Sequence, residues 1–211
     1  MNKPPDLQLI KRMSAESRMP LCYGGGIKNV EQAKQIIALG VEKISLSSSA
    51  IHDTDLLKAV GKDIGIQSMV VSIDVKKQKF IGSEGYVIFT HNGKVNTGIE
   101  LVDFIRKVTD VGIGEILINS IDFDGTMKGY DIELVDIARN STDVPMTVLG
   151  GASSLYDIAR LVARYRIIGA AAGSIFVFKG KYRAVLINYP SKSDKFRFTK
   201  INSDEADYTI S

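Results

Sequence analysis

Short apolar runs alternate along most of this chain with segments whose apolar positions recur every three to four residues, the spacings of strands and amphipathic helices. The pattern predicts strands at 20–26, 42–49, 68–74, 115–121, 144–151 and 167–174. It predicts helices at 6–17, 29–39, 55–60, 98–111, 132–138 and 155–162, and the glycines of 80–95 predict a hairpin. Apolar strands separated by helices indicate a parallel sheet that is buried on both faces, with right-handed crossovers.

Polar residues follow several of these strands at the point where the strand ends. Asp74 closes the third strand, and the stretch 118–131 carries Asp122, Asp124, Gly125 and Thr126 between the fourth strand and the next helix. Such an ending places polar groups at the carboxyl end of a strand, where a ligand can reach them. Asp-Gly is also a common turn dipeptide without any chemistry. The stretch alone therefore leaves both interpretations open.

An internal repeat strengthens the interpretation as a binding site. Gly25-Gly26, a helix and a strand leading to Ser48 match Gly150-Gly151, a helix and a strand leading to Ser174, at an offset of about 125 residues. Glycine turns, hydroxyl groups and helix N-termini are features of phosphate sites, because backbone N–H groups can approach the anion. The repeat predicts two phosphate sites on one edge of the sheet, although paired glycines also serve tight packing.

The repeat also exposes a gap, because the counterparts of the strands ending at Asp74 and Asp124 would lie upstream of Met1. A two-fold (β/α)8 barrel has eight strands and six are visible. We therefore expect an α/β protein of the TIM (β/α)8-barrel type whose first two β/α units are absent from this chain. Residues 1–190 are predicted to form this partial barrel, and residues 191–211 a polar C-terminal tail. An open-edged sheet of this kind would be prone to aggregation.

Composition narrows the class of protein further. The 211 residues are 45% hydrophobic and carry a formal charge of +3 with scattered Lys and Arg, which argues against nucleic-acid or membrane binding. A single cysteine, Cys22, cannot form an intramolecular disulfide, and the first residues lack a signal-peptide pattern, so a cytoplasmic location is expected. His52 and His91 are far apart and have no cysteine neighbours, so we predict no metal site and no cofactor.

Five motifs together resemble the cyclase subunit of imidazole glycerol phosphate synthase, which is a half-repeated (β/α)8 barrel. They are Tyr-Gly-Gly-Gly-Ile at 23–27, Glu-Lys-Ile-Ser-Leu at 42–46, Val-Val-Ser-Ile-Asp-Val-Lys at 70–76, Asn-Thr-Gly-Ile at 96–99, and the block 114–131. The resemblance covers residues 7–190 and is most specific in the block 114–131.

The resemblance implies an enzyme of histidine biosynthesis. Ammonia would be added to a bis-phosphorylated aminoimidazole-carboxamide ribonucleotide, followed by ring closure and cleavage. It implies that Asp74 and Asp124 are the catalytic acids. It also implies that substrate and phosphates are bound at or beside Gly25, Gly26, Ser47, Ser48, Asn119, Gly125, Thr126, Gly150, Gly151, Gly173 and Ser174.

The resemblance further implies a partner, a glutaminase that forms a heterodimer with this chain and supplies ammonia through the barrel. The ammonia gate and partner interface would include Glu42, Lys43, Gln67 and Glu115 at the amino-terminal ends of the strands. A pair such as Lys43 and Glu115 can also be an ordinary surface ion pair, which is worth about 0–1 kcal/mol.

Besides the histidine enzyme, two further interpretations stay open. Ser47 replaces the family's usual Asn. The second interpretation is a paralogue of surface-polysaccharide gene sets, because the ending 171–190 is more similar to that paralogue. That paralogue passes ammonia to a sugar amidotransferase that makes acetamidino sugars. The third interpretation is an inactive gene fragment. Because the acid that would face Asp74 from the first strand is absent, we expect these 211 residues alone to show no cyclase turnover.

Overall fold

Six parallel strands form a curled sheet in the computed structural model, which describes residues 4–80, 83–179, 184–187 and 189–194. The strands are β1 (Cys22–Gly24), β2 (Lys43–Leu46), β3 (Met69–Phe80), β4 (Ser83–Thr90), β5 (Val95–Glu100), β6 (Glu115–Ser120), β7 (Met146–Leu149), β8 (Gly169–Ala170), β9 (Phe178–Lys179) and β10 (Ala184–Val185). The helices are α1 (Leu7–Glu16), α2 (Val30–Ala38), α3 (Ser48–His52), α4 (Thr54–Ile64), α5 (Leu101–Val111), α6 (Ile132–Arg139), α7 (Leu155–Tyr165) and α8 (Ser174–Val177). A 3-10 turn (Ile66–Ser68) precedes β3.

The parallel strands are ordered β1-β2-β3-β6-β7-β8. Each neighbouring pair is parallel, and β3 lies directly beside β6 with Asp74 opposite Asn119. Because helices separate these strands in the sequence, the chain has the alternation of a TIM-type α/β fold, and that prediction is confirmed. β4 and β5 form an antiparallel hairpin attached to the extended second half of β3, as predicted for 80–95; Gly82 lies outside the described residues.

Side-chain caps fix where several helices begin. Asn29 accepts a hydrogen bond from the Gln32 N–H at the start of α2, as its position predicted. Asp131 caps α6 in the same way, through the N–H of Leu134. Ser154 and Asp157 form a reciprocal capping box at the start of α7. Because β1, β6 and β7 run in the same direction, the turns that lead from them to these capped helices lie at one edge of the sheet.

The expectation that the strands are buried on both faces is wrong. Burial alternates along β2, β6 and β7. The fully buried face carries Ile44, Leu46, Val71, Ile73, Ile116, Ile118, Met146 and Val148, and it packs against Ile36, Leu57, Phe104, Leu134 and Leu161 of the helices. The opposite, inner face is half-buried and mostly polar, with Lys43, Ser45, Ser72, Asp74, Glu115, Asn119 and Thr147. The polar residues within the apolar runs belong to this inner face.

Two predicted boundaries are also wrong. The fourth predicted helix begins at Leu101 rather than at Gly98, because 95–100 pair with β4 and Gly98 has a φ of +71° in that strand. The last strand is not a buried run over 167–174. Only Gly169 and Ala170 pair with β7, and Ile167 is 82% exposed. β8 is an edge strand with one neighbour among the described residues, and the Ala171 N–H just after it still donates to the Val148 carbonyl of β7 at 2.8 Å.

Within the part of the chain that the structure describes, no helix is both long and apolar enough to cross a lipid bilayer.

Candidate active site

Asp74 and Asn119 form the centre of the carboxyl-terminal edge of the sheet. They face each other from the adjacent strands β3 and β6, and Asn119 Nδ2 donates a hydrogen bond of 2.9 Å to Asp74 Oδ1. Both side chains lie on the half-buried inner face. A carboxylate held at the end of a strand and partly shielded from water can exchange protons with a bound ligand.

Asp124 lies on the turn after β6 and is exposed. The turn is held by the backbone, since the Asp124 N–H donates to the Ser120 carbonyl at 2.9 Å, and Thr126 Oγ1 donates to the Phe123 carbonyl at 2.7 Å. Gly125 has a φ of +70°, which the turn requires. The described structure shows no hydrogen bond between Asp124 and Asp74. It places Asp124 one strand away from Asp74, on the rim of the same edge.

The two paired-glycine turns lie on either side of the Asp74–Asn119 pair along that edge, one after β1 and one after β7. All four glycines have positive φ, at +114° and +74° for Gly25 and Gly26, and at +100° and +99° for Gly150 and Gly151. The turns differ in their surroundings: a Cβ on Gly25 would meet nothing within 4 Å, whereas one on Gly151 would collide with the Gly129 carbonyl. The second turn is therefore tightly packed against its neighbours, whereas the first turn is open.

The hydroxyl groups of the repeat begin short helices. Ser48 and Ser174 are the first residues of α3 and α8, and both are half-buried. Ser47 and Gly173 precede them as cap residues without a side-chain capping bond. Near the second turn, Asp157 accepts hydrogen bonds from the N–H groups of Ser153 and Ser154 at 2.8 and 3.1 Å. The N–H groups of Ser153 and Ser154, just before α7, are therefore already paired with the Asp157 carboxylate.

A second polar cluster lies at the opposite, amino-terminal edge. Glu115 accepts one hydrogen bond from Lys43 Nζ and another from Thr147 Oγ1, both at 2.6 Å. Lys43 and Glu115 are 41% and 18% exposed, so the pair is partly shielded. Sequence reasoning missed Thr147, although the alternation along β7 places it on the same face as Glu115. Glu42 and Gln67 are exposed at the same edge, just before β2 and β3.

A cavity of about 400 Å³ opens beside this cluster at the amino-terminal ends of β6, β7 and β8. Its lining includes Glu115, Thr147 and Arg166. It lies at the edge opposite Asp74, so it is distinct from the candidate proton-exchange centre.

Sequence reasoning also missed a buried network behind the turn that carries Asp124. The Tyr86 hydroxyl of β4 lies 3.0 Å from both carboxylate oxygens of Asp131, which also accepts from Ser120 Oγ at 3.3 Å and the Leu134 N–H at 3.2 Å. Burial raises the pKa of Tyr86 well above its ordinary value, and the Asp131 charge adds to the shift. The network links the hairpin to both ends of the 120–131 segment.

Comparison with known proteins shows the family of this chain. Residues 1–183 match the family described as histidine biosynthesis protein. Over 191 residues the chain is 51% identical to a protein of Vibrio vulnificus that is provisionally named as a subunit of imidazole glycerol phosphate synthase and numbered as a third HisF. It is 50% identical over 193 residues to a protein of Leptospira interrogans provisionally named as the HisF subunit of the same synthase. These alignments cover 90% and 92% of this chain, and 73% and 75% of the two relatives.

A third relative carries the HisF name without reservation. It is the imidazole glycerol phosphate synthase subunit HisF of Clostridium botulinum, 36% identical over 173 residues, which cover 82% of this chain and 68% of that protein. The fold, the family match and these relatives agree with the resemblance in the five motifs. The chain belongs to the histidine biosynthesis protein family, as a HisF-like member of an enzyme family.

Proposed function

We propose that this chain is a HisF-type cyclase subunit that uses glutaminase-derived ammonia to cyclise a bis-phosphorylated aminoimidazole-carboxamide ribonucleotide in histidine biosynthesis. One observation carries the proposal: along one edge of the sheet, the Asp74–Asn119 pair lies between two positive-φ glycine turns, one after β1 and one after β7. A substrate with a phosphate at each end fits this layout, because its reactive centre would lie over the two central strands.

Asp74 is the proton-exchanging group in this proposal. Adding ammonia to a carbonyl group and closing a ring both require protons to be moved between nitrogen and oxygen atoms, and a positioned carboxylate can move them. Asp124, on the exposed rim after β6, would serve as the second acid. Thr126 and Gly125 lie on the same turn and would contact the substrate from that side.

Ammonia would arrive from the opposite edge. There the partly shielded Lys43–Glu115 pair stands at the base of the inner face, with Glu42 and Gln67 exposed beside it. An ion pair at this place can separate, and a small neutral molecule could pass through. We propose that a glutaminase subunit docks over this edge as a heterodimer partner.

A second function is favoured by one finding. The relatives at 50–51% identity carry their names only provisionally, and one is numbered as a third HisF, whereas the Clostridium botulinum relative, named without reservation, is 36% identical. The alternative is therefore an ammonia-channelling subunit for a sugar amidotransferase that makes acetamidino sugars for surface polysaccharide. In that role the amino-terminal edge would be used and the Asp74 centre would not.

Turnover by the protein at its natural full length tests the proposal and separates the two functions. With the ribulosyl substrate and excess ammonium, Asp74→Asn should lower kcat by about 10²–10⁴-fold, because it removes the proton-exchanging group. Asp63→Asn is the matched control, since Asp63 forms only a surface ion pair with Lys34 at 3.5 Å. A parent protein that channels ammonia from glutamine without consuming the substrate would support the second function instead.

A further inference from the structure

Asn119 is held between two neighbouring strands by contacts of different kinds. On one side its Nδ2 donates to Asp74 Oδ1 at 2.9 Å. On the other side its Oδ1 faces the turn after β7, where a Cβ on Gly150 would lie 3.1 Å from that oxygen and 2.7 Å from the Ser120 carbonyl. The absence of a side chain at Gly150 therefore makes room for the Asn119 amide.

Asn119 Oδ1 is buried and has no hydrogen-bond partner, and no other buried side-chain nitrogen or oxygen atom of the described residues shares this state. A buried acceptor without a donor is unfavourable and rare in folded proteins. Rotating the amide by half a turn would place Oδ1 against the Asp74 carboxylate and repel it. The observed orientation therefore directs the Asn119 Nδ2 donor to Asp74 and leaves Asn119 Oδ1 unpaired.

We propose that Asn119 is a positioning residue for Asp74, a role that rests on the proposed cyclase function. The Asn119 amide donates to Asp74 Oδ1 and fixes the plane of the Asp74 carboxylate. Asp74 Oδ2 is then the oxygen that exchanges protons with the substrate. Among the described residues, no group donates to Oδ2. Gly150, on the neighbouring turn after β7, keeps the Asn119 amide in this position, because any side chain there would displace it.

Kinetics of Asn119 variants of the full-length natural protein test this role. Asn119→Ala should lower kcat by about 10- to 100-fold with little change in KM, because the carboxylate loses its orientation. Asn119→Asp has nearly the same shape but places an acceptor against Asp74, so it should lose more activity than Asn119→Ala. If Asn119 only fills space, the order reverses, and that result would overturn the proposal.

A double-mutant cycle shows whether Asn119 acts through Asp74. Adding Asn119→Ala to Asp74→Asn should reduce kcat no further, within about twofold, because the group that Asn119 orients is already gone. Independent, multiplicative losses would contradict the positioning role. Asn140→Ala is the control, since Asn140 is exposed at the end of α6 and should leave activity unchanged in both backgrounds.

The side-chain amide signals of Asn119 give a readout that needs no turnover. In ¹⁵N-labelled protein these signals, identified by their loss in Asn119→Ala, should move when Asp74 is replaced by Ala, and they should stay in place in Asn140→Ala. If the parent protein does not turn over the substrate, the cyclase proposal fails. The amide signals still show whether Asn119 and Asp74 are in contact. Asn119 signals that do not move in Asp74→Ala would show that the contact is absent and would overturn the positioning role.

Discussion

Gly151 shows how tightly the turn after β7 is built. Its φ is +99°, a Cβ there would collide with the Gly129 carbonyl, and its own carbonyl accepts from the Gly129 N–H at 2.8 Å. Gly151→Ala should therefore lower the free energy of unfolding by about 2–5 kcal/mol, the sum of left-handed backbone strain and overpacking. Urea denaturation followed by circular dichroism measures this.

Gly112 provides the control for that prediction. It has a φ of +87° at the end of α5, and a Cβ there would meet nothing within 4 Å. Gly112→Ala should cost only the backbone strain, about 1–2 kcal/mol. Equal losses for the two variants would show that the contact with Gly129 adds nothing.

The hairpin and the loop before α6 are joined by the Tyr86–Asp131 hydrogen bonds. Tyr86→Phe removes the donor from a buried carboxylate and should lower the free energy of unfolding by about 1.5–3 kcal/mol. Tyr156→Phe is the control, because the Tyr156 ring lies beside Arg160 and its hydroxyl group makes no hydrogen bond within the described structure. A Tyr86→Phe protein as stable as the parent would contradict a structural role for the network.

The same link predicts how stability changes in alkali. The pKa of Tyr86 is raised above its ordinary value of 10.0, chiefly by burial, so the folded state favours the neutral phenol. That contribution is complete below pH 10.0 and is lost as the pH rises above it, since the unfolded chain then releases the proton more readily. The parent should thus lose more stability above pH 10.0 than Tyr86→Phe does, in denaturation series at increasing pH.

The alternation of elements, the parallel pairing and the Asn29 cap were predictable from the sequence, because each depends on local spacing or on a single capping residue. The hydrogen bonds of Tyr86 with Asp131 were not, since 45 residues separate the partners and no periodicity connects them. The last strand was misjudged because apolar composition predicts burial, whereas Ile167 lies before the short pairing with β7 and stays exposed. Thr147 could have been found from the alternation along its strand.

The two glycine turns, one on each side of the Asp74–Asn119 pair, predict that the whole molecule binds an anion on each side. Ser174→Asp introduces a carboxylate beside the second turn and should weaken phosphate binding there about tenfold, by charge repulsion. Binding near Gly26 and Ser48 should stay unchanged. Titration with inorganic phosphate, followed by residue-resolved NMR shifts, separates the two ends.

Ser17→Asp is the matched control for the added charge. Ser17 is exposed just after α1, at the edge of the sheet where β1 begins. Since it carries the same charge change to the opposite edge, it should leave both phosphate responses in place. A similar weakening in both variants would point to net charge and would contradict a site beside Ser174.

One face of the strands packs against the helices and the other carries the polar groups, which has a consequence for how this protein can evolve. Ile44, Ile116, Ile118 and Val148 hold the helices, while Lys43, Glu115, Asn119 and Thr147 alternate with them on the inner face. Selection for folding and selection for chemistry therefore act on different, interleaved positions of the same strands. A duplicated gene could exchange its inner-face residues one at a time, and so change its reaction, without first passing through an unfolded intermediate.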